Sequence, residues 1–422
     1  MQFNSIYIGK YKIFFSIFCW IGDEGFMLRE ELMKMLDGRE DDMIALRRHF
    51  HEHPELSFDE KETAAFIARF YENKSVDVQT NVGNGYGIIV TIKGNKPGRT
   101  IALRADFDAL QIEEQTGLPF ASKNHGVMHA CGHDGHTAYL MILADCLIRL
   151  RDQWEGTVKI VHQHAEEMAP AGAKSIMDSG LLDDVDEIYG IHFYPDYEVG
   201  TVFYTSGFAY AGCSDIKVTI QGTGGHGSQP HRSNDTIVAA SSFVMNLQTI
   251  VSRRINPYDM AVVTIGSFEA VGSSNVIKDS LILRGDARYM DLEVGKVIEE
   301  HFHRIGRGLE EMYNVKVEID YNSDYPPLYN HPKETAKAVA VLEQNGVGSY
   351  LNQVIATSAN TGAEDFGQYL LKIPGAFLNV GARPNQAEVF NNHHPKFDIN
   401  EKALLVAAKA VADITLAALS AK

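Results

Sequence analysis

A run of twelve residues, 128–139 (MHACGHDGHTAY), constrains this chain more than any other segment. It holds donor types that transition metals prefer, namely His129, Cys131, His133, Asp134 and His136. Gly132 separates Cys131 from His133 and lets the backbone bend sharply without a Cβ penalty. Aliphatic residues follow at helical spacing, so the run predicts a tight turn with its donors at the positive end of a helix. Taken alone, it also fits a reduced cysteine beside surface histidines.

Length and charge exclude some classes of partner. The 422 residues suffice for two or three domains with a sizeable core. The formal net charge of -17 argues against nucleic acid or an anionic membrane as the main partner, because both bind basic surfaces. The four cysteines are widely scattered, form no disulfide framework and fit a reducing compartment: Cys19, Cys131, Cys146 and Cys213. We therefore expect a cytoplasmic protein.

The first residues leave two interpretations open. Residues 13–22 (IFFSIFCWIG) are apolar and follow Lys10 and Lys12, which resembles a short signal-peptide core. The run is too short to span a bilayer, and no small-residue cleavage site follows it. Alternatively, residues 1–26 are an upstream extension, and the native protein begins at Met27 with an amphipathic helix. The second interpretation is favoured, and it predicts that residues 1–26 are dispensable.

Helical and β-rich segments alternate through the first half of the chain. We expect helices at residues 27–53 (interrupted near Gly38), 60–73 and 173–182, and another that follows the Cys-x-His turn and runs to about residue 154. We expect strands at residues 87–93, 100–104, 157–164 and 187–192, the first two forming a hairpin. This alternation predicts an α/β layer with a sheet flanked by helices.

Polar residues collect where these strands end. In open α/β sheets, ligands bind outside the carboxyl ends of the strands. Five residues able to bind metal or transfer protons lie there: Asp106, Asp108, Glu166, Glu167 and His192. Glu166 and Glu167 are adjacent, so in an extended segment they point in opposite directions. One carboxylate can then bind a metal while the other acts as a base, as metal-assisted hydrolysis requires.

The pattern changes after residue 207. Strands are expected at residues 215–220, 260–268, 281–289 and 315–321, and helices at 234–255 and 292–313. Their order, β-α-β-β-α-β, is typical of a ferredoxin-like fold. Since α/β character then resumes, we predict a split catalytic domain with a mixed sheet, residues 27–206 and 323–422, and an inserted ferredoxin-like domain, residues 207–322. A free sheet edge in the insert would suit dimerisation.

Nine short motifs carry a family resemblance. In chain order they are LRRHFHEHPELSFDE, LRADFDAL, MHACGHDGHTA, AEE, GIHFYP, GHGSQPH, NVI, GAEDF and HHPKF. From about residue 46 onward the chain resembles the N-acyl-amino-acid amidohydrolases. That group includes hippurate hydrolases, indole-acetyl-amino-acid hydrolases and N-acetyldiaminopimelate deacetylases. It belongs to the aminoacylase and glutamate-carboxypeptidase superfamily of metallopeptidases.

The resemblance implies a role for several residues. It implies two divalent ions per subunit, Mn²⁺ or Zn²⁺ with Co²⁺ or Ni²⁺ also compatible, held by Cys131, His133, Glu167, His192 and His393. Glu166 matches the general base and Asp108 the aspartate that orients the site. The remaining matches are His226, which reaches a partner's active site across a dimer, and Asn275 and Arg288, which grip the substrate carboxylate.

Two positions depart from relatives. Asp106 stands where distant relatives carry a histidine ligand. Many family members have Gln-Pro before Ala-Glu-Glu, whereas this chain has Gln163-His164. We expect His164 to add a donor beside the metals, which puts the substrate preference in doubt more than the basic chemistry.

The resemblance implies a metal-dependent amidohydrolase. The expected reaction converts an N-acyl amino acid, with an acetyl, benzoyl or similar acyl group, to a carboxylic acid and a free amino acid. We expect a homodimer, or an oligomer built from dimers, that acts on this small molecule without a nucleic-acid or membrane partner. A metallo-exopeptidase, either dipeptidase or carboxypeptidase, is the near alternative. A non-catalytic protein that binds amino-acid conjugates is another, but it would not need Glu166 as a base.

Overall fold

The computed structural model describes residues 7–8, 11–12 and 23–421. Strands β1 (Tyr7–Ile8) and β2 (Tyr11–Lys12) pair antiparallel with each other. The apolar run at residues 13–22 lies outside the described part, so the two interpretations of the N-terminus stay open. Across the described ranges, no helix combines the length and apolar character needed to cross a membrane.

The first long segment of the chain alternates helices and strands, as predicted. Its helices are α1 (Asp23–Asp37), α2 (Glu40–Glu52), α3 (Lys61–Tyr71), α4 (His133–Arg149) and α5 (Ala173–Asp178). Its strands are β3 (Asp77–Val82), β4 (Gly87–Lys93), β5 (Thr100–Asp106), β6 (Thr157–Gln163), β7 (Glu187–Tyr194), β8 (Thr201–Tyr204) and β9 (Gly207–Tyr210). The break between α1 and α2 contains Gly38, where the sequence predicted an interruption.

The middle segment contains β10 (Gly212–Gln221), β11 (Gly225–His226), α6 (Thr236–Arg253), β12 (Ala261–Glu269), β13 (Val276–Ile277), β14 (Ser280–Tyr289), α7 (Leu292–Tyr313) and β15 (Lys316–Tyr325). The last segment contains β16 (Leu328–Asn330), α8 (Pro332–Asn345), β17 (Gln353–Ala356), α9 (Gly367–Leu370), β18 (Gly375–Gly381) and α10 (Lys402–Leu419). Short 3-10 turns follow α4 at Arg151–Gln153 and precede α6 at Pro230–Arg232.

The main sheet has eight strands in the order β17-β8-β18-β7-β5-β6-β4-β3. Strands β18, β7, β5 and β6 run parallel, whereas β4 is antiparallel to β6 and β3 antiparallel to β4. Alternate residues of the sheet feed two hydrophobic clusters: Ile88 and Leu103 belong to one, and Ile89 and Ala102 to the other. This confirms the predicted α/β fold with a mixed sheet and helices.

The predicted hairpin of β4 and β5 is wrong. Both strands form where expected, but β6 lies between them in the sheet. Lys93 at the end of β4 and Thr100 at the start of β5 both pair with Thr157 of β6. All seven residues of β5 are buried, as befits a central strand. Local turn residues predict a reversal of the chain, but they carry no information about a strand that inserts from 50 residues away.

A second sheet, in the middle segment, has four antiparallel strands in the order β12-β14-β10-β15. Helices α6 and α7 pack on it, and their apolar residues share one core with the strands, including Phe243, Leu247, Ile298 and Phe302. The elements follow the predicted order β10, α6, β12, β14, α7, β15. Strand β15 continues to Tyr325, beyond the predicted boundary at residue 322. The domain boundaries, and the role of the insert in dimerisation, stay predictions.

Candidate metal centre

Parallel pairing brings the carboxyl ends of β5, β6 and β7 to one edge of the main sheet. Asp106 ends β5 and pairs with Gln163, the last residue of β6. His192 lies near the end of β7, which is the other neighbour of β5. Backbone topology therefore places the polar residues that follow these three strands around a common point.

The turn before α4 approaches the same edge. Gly132 has a φ of 97°, a left-handed conformation that favours glycine, and α4 begins at the next residue, His133. A Cβ at Gly132 would meet nothing closer than 3.6 Å, so the backbone angle rather than lack of space accounts for the glycine. Cys131 and His133 are thus presented from the start of a helix, as the sequence predicted.

Five predicted donors from four separate segments lie close together. The donor atoms of Cys131, His133 and His192 lie within 4.8 Å of one another, and so do those of Cys131, Glu167 and His393. Sγ of Cys131 is 3.3 Å from Nε2 of His192. Oε1 of Glu167 is 3.2 Å from Nε2 of His393 and 3.8 Å from Nε2 of His133. His393 is the most open of the five, with half of its side chain exposed.

In His133 and His192, a contact made by the ring nitrogen Nδ1 fixes the orientation of the imidazole. Nδ1 of His192 lies 2.9 Å from the carbonyl oxygen of Phe193, which only accepts, so Nδ1 carries the proton and Nε2 a lone pair. Nδ1 of His133 lies 3.0 Å from Oδ1 of Asp108, and its Nε2 is buried without a hydrogen-bond partner. Buried nitrogens rarely lack a partner. The orphaned Nε2, aimed at a thiol and carboxylates, fits the first coordination shell of a transition metal.

The two other histidines of residues 128–139, His129 and His136, have different roles. Nδ1 of His136 lies 2.6 Å from Asp106, and its Nε2 accepts a hydrogen bond from the backbone nitrogen of Phe193. With both nitrogens engaged, His136 ties β5 to β7 and offers no lone pair to a metal. His129 is buried, and burial lowers its pKa to about 4, so its ring is neutral.

Glu166 and Glu167 do not point in opposite directions, and that prediction is wrong. Strand β6 ends at Gln163, and Ala165 adopts a left-handed φ of 49°, so the pair does not lie on an extended strand. Carboxyl oxygens of Glu166 and Glu167 lie with the ring of His133 within 4.8 Å of one another. The backbone of the pair is anchored on both sides, because Glu167 N donates to Asp108 and the Tyr325 hydroxyl donates to the carbonyl of Glu166.

Buried negative charge dominates the electrostatics of this edge. Burial, together with Glu364 and Glu167, raises the pKa of Glu166 well above its usual value. Burial and Glu167 likewise raise the pKa of the Cys131 thiol. Burial alone would lower the pKa of His133, but Asp106 and Asp108 outweigh it and raise this pKa to about 10. Divalent cations would relieve this surplus of negative charge and favour the thiolate form of cysteine.

A buried ion-pair network beside Glu166 was not predicted from the sequence. Arg104, on β5, pairs with Asp106 and lies 3.1 Å from Glu364 and 2.8 Å from Asp365. Gln163 donates to both oxygens of Asp365. Two signals were present: polar residues alternate along the apolar β5, and the GAEDF motif supplies both acids. This network ties β5 and β6 to the loop before α9, next to the carboxyl group of Glu166.

A second buried network, also unassigned from the sequence, lies behind the turn. Arg47 Nε and His51 Nδ1 both contact Oδ2 of Asp134, at 2.9 and 2.8 Å. Arg47 also reaches Asp398, in the segment after His393. From the sequence, His49, His51 and His53 are two apart on a helix and so do not face one another, which argues against a shared metal site but gives no sign of this network. The network joins α2, the start of α4 and the C-terminal segment that carries His393.

Three other predicted residues, the catalytic His226 and the substrate-binding Asn275 and Arg288, lie in the middle segment of the chain, on or beside β11, β13 and β14. His226, on β11, is exposed, contacts Ser228 and lines an open cleft of about 560 Å³. Arg288 donates to Asp286, and the carbonyl of Asn275 accepts from Gly227 N. Within residues 23–421, no hydrogen bond or ion pair joins His226 to the five donors. Its role in a site shared between subunits stays a prediction.

His164 does not add a donor to the cluster, and that expectation is wrong. Its Nε2 lies 2.8 Å from Oδ1 of Asn84, and its ring contacts Phe58 edge-on. It packs so tightly on Gly85 that a Cβ there would lie 2.3 Å from the imidazole. His164 lies just past the end of β6, and none of the donor groups in the described part of the chain includes it.

Fold and site together define a class: an α/β protein with a cluster of thiol, imidazole and carboxylate donors at the carboxyl ends of its central strands. The chain belongs to peptidase family M20/M25/M40, whose model matches residues 102–417.

Individual relatives match over nearly the whole chain. YhaA of Bacillus subtilis strain 168 is 45% identical over 386 residues, which cover 91% of this chain and 96% of that protein. The N-acetyl-L-cysteine deacetylase of the same organism is 38% identical over 388 residues, covering 92% of this chain and 91% of the relative. A third relative, the Bacillus subtilis YXEP protein, has a crystal structure and is described as a dinuclear metal-binding peptidase of family M20. Its sequence is 35% identical to this chain. It superimposes with a TM-score of 0.76 and covers 91% of this chain and 99% of that one.

Proposed function

We propose that this protein is a dinuclear metal-dependent amidohydrolase that converts N-acyl amino acids to a carboxylic acid and a free amino acid. The observation that carries the proposal is the donor cluster of Cys131, His133, Glu167, His192 and His393 with Glu166 beside it. Membership of a hydrolase family supports the reaction type. The N-acetyl-L-cysteine deacetylase supports an acylated amino acid as substrate, and the dinuclear centre of the YXEP protein supports two ions.

The five donors would hold the two ions, and Mn²⁺ or Zn²⁺ suits a set that mixes thiolate, imidazole and carboxylate. Bound divalent ions supply Lewis acidity to an amide carbonyl and bring the pKa of water toward about 7. Asp108 contributes indirectly, because its two oxygens fix the ring of His133 and the backbone of Glu167. His133 and Glu167 are thereby held in place before metal or substrate binds.

Glu166 is the proposed general base. Its carboxyl group lies within 4.8 Å of the ring of His133 and the carboxylate of Glu167, so a water among these groups is within its reach. As the water oxygen attacks the amide carbonyl, a carboxylate oxygen of Glu166 takes the proton. The same carboxyl group then gives the proton to the leaving nitrogen, and the C–N bond breaks to release the amino acid.

The insert supplies the remaining proposed contacts. His226 is exposed on β11, and we assign it to the oxyanion of a neighbouring subunit's substrate. Asn275 and Arg288 would hold the carboxylate of the amino-acid part. This assignment requires at least a dimer. We place the protein in the cytoplasm, consistent with its dispersed cysteines and the free, buried thiols of Cys131 and Cys146.

The test is release of free amino acid from N-acetyl and N-benzoyl amino acids by the purified protein. We expect release to stop with a chelator and to return with Mn²⁺, Zn²⁺ or Co²⁺. Dipeptides assayed in parallel separate the proposed activity from an exopeptidase, which would prefer them. The proposal fails if no acylated amino acid is hydrolysed with any of these metals bound.

A further inference from the structure

The side-chain amide of Asn392 reaches the candidate metal thiol. Nδ2 of Asn392 lies 3.1 Å from the carbonyl oxygen of Cys131, 3.4 Å from that of Phe193 and 3.7 Å from Sγ of Cys131. Asn392 directly precedes His393, and Phe193 directly follows His192. This amide therefore links the three segments that carry four of the five proposed ligands, namely Cys131, His133, His192 and His393.

The chemistry of the neighbours fixes the orientation of this amide. Two of its three contacts are backbone carbonyls, which only accept hydrogen bonds, so the NH₂ group and not the oxygen must face them. The same orientation aims an N–H at the sulfur. The loop holds this position because the backbone nitrogen of His393 donates to the carbonyl of Ala130 at 2.7 Å.

The sulfur of Cys131 lies among acidic groups, so its charged form needs a hydrogen-bond donor. Cys131 is 8% exposed and has Glu166, Glu167 and Asp106 as its charged neighbours, all of them acidic. A thiolate buried among carboxylates is destabilised unless positive charge or hydrogen-bond donors offset its charge. Nε2 of His192, which also lies near Sγ, carries a lone pair and does not donate, so Asn392 is the donor that the described part of the chain directs at Sγ.

We propose that Asn392 is a positioning residue that donates an N–H···S hydrogen bond to the Cys131 thiolate when metal is bound. The proposal rests on the metal site of the proposed function. A thiolate accepts more strongly than a thiol, so a contact of 3.7 Å to the thiol tightens once the sulfur is charged. This hydrogen bond stabilises the negative charge on sulfur. The contacts of the Asn392 amide with the two backbone carbonyls keep the Cys131, His192 and His393 segments aligned.

Cobalt-loaded protein provides a readout independent of turnover. A cobalt–thiolate bond gives a near-ultraviolet charge-transfer band whose energy depends on the sulfur lone pairs. We expect the band of Asn392→Leu to move to longer wavelength, because loss of the donor raises the energy of those electrons. We also expect cobalt affinity to fall about 10–100-fold, as is typical when a group that supports a metal ligand is removed. Circular dichroism and the Tm check that the variant is folded.

Matched variants make the result specific. Asn391→Leu alters the neighbouring amide, which lies against Asp196, and should leave both the band and the affinity unchanged. Asn392→Asp keeps the shape without the N–H, and it carries the test if Asn392→Leu does not fold; we expect at least as large a shift. An unshifted band in folded Asn392 variants overturns the role of Asn392 alone. Absence of any thiolate band from the wild-type protein contradicts ligation by Cys131, and with it both this inference and the proposed metal centre.

Discussion

One carboxylate, that of Asp108, aligns two proposed metal ligands at once: its Oδ1 lies 3.0 Å from Nδ1 of His133. Its Oδ2 accepts a hydrogen bond from the backbone nitrogen of Glu167 at 2.9 Å and another from the Ser57 hydroxyl at 2.7 Å. Ser57 lies in the loop between α2 and α3, so this loop supports the donor cluster without contributing a donor. The geometry of the cluster therefore depends on residues that touch no metal.

Asp108→Ala should lower metal affinity about 10–100-fold, because the ring of His133 and the Glu167 segment lose their common anchor. Competition against a chromophoric chelator measures the affinity directly. Asp178→Ala, which removes an exposed carboxylate on α5, serves as the control and should bind metal normally. Equal affinities for the two variants would contradict the positioning role of Asp108.

Cys131→Ala should lose most bound metal, whereas Cys146→Ala should keep it. Both cysteines are buried, but Cys146 lies on the far part of α4 within the hydrophobic core. The pair thus separates loss of a ligand from loss of a buried thiol. Metal content per subunit, measured after gel filtration, decides the matter. Normal metal content in Cys131→Ala would remove Cys131 from the ligand set.

Glu166→Gln should keep its metal and lose about 10²–10⁴-fold in kcat, the usual contribution of a general base. Glu167→Gln, the adjacent change, should lower metal content as well, because the neighbouring carboxylate is a proposed ligand. Steady-state kinetics and metal analysis on the same samples distinguish the two roles. Near-normal turnover by Glu166→Gln would show that another group takes the proton.

Glu60 should make stability depend on pH. Its side chain is fully buried, and its Oε1 accepts a hydrogen bond from Ala165 N at 2.8 Å. Burial, with a smaller effect of Asp108, raises the pKa of Glu60 to about 8. The folded state therefore holds a proton that the unfolded chain has lost above its ordinary pKa. This contribution to stability is complete below about pH 4.5 and is lost as the pH rises toward 8.

Glu60→Gln keeps an acceptor for Ala165 without an ionisable group. Relative to this variant, the wild-type protein should lose about 1 kcal/mol of unfolding free energy per pH unit between pH 5 and pH 8. Urea unfolding at several pH values, followed by circular dichroism, gives the difference. Parallel pH profiles for the two proteins would mean that Glu60 does not retain its proton in the folded state.

His226→Ala should be inactive alone and regain activity when its subunits are mixed with those of Glu166→Gln. In a mixed dimer one active site receives an intact Glu166 from one chain and an intact His226 from the other. The maximum is about half of the wild-type activity per mixed dimer, since one site of two is complete. Mixtures that stay inactive after subunit exchange, verified by mass spectrometry, would argue against a shared site.

Much of the architecture was predictable because it depends on local pattern. Helical periodicity marked α7 with the bounds that the structure has, Leu292–Tyr313, and the apolar runs marked β4 and β5 within two residues. The order of strands in the sheet was not predictable in the same way. Insertion of β6 between β4 and β5 depends on pairing across more than 50 residues, which leaves no local mark.

The amino-acid sequence by itself determined the kinds of donor and the strand ends from which they emerge, because residue type and periodicity are properties of short segments. Only the tertiary structure decided where those side chains point. In the structure the carboxyl groups of Glu166 and Glu167 lie close together, and His164 contacts Asn84. The amide of Asn392 lies against Cys131. These directions depend on a left-handed residue at Ala165 and on contacts between distant segments, and neither can be read from spacing along the chain.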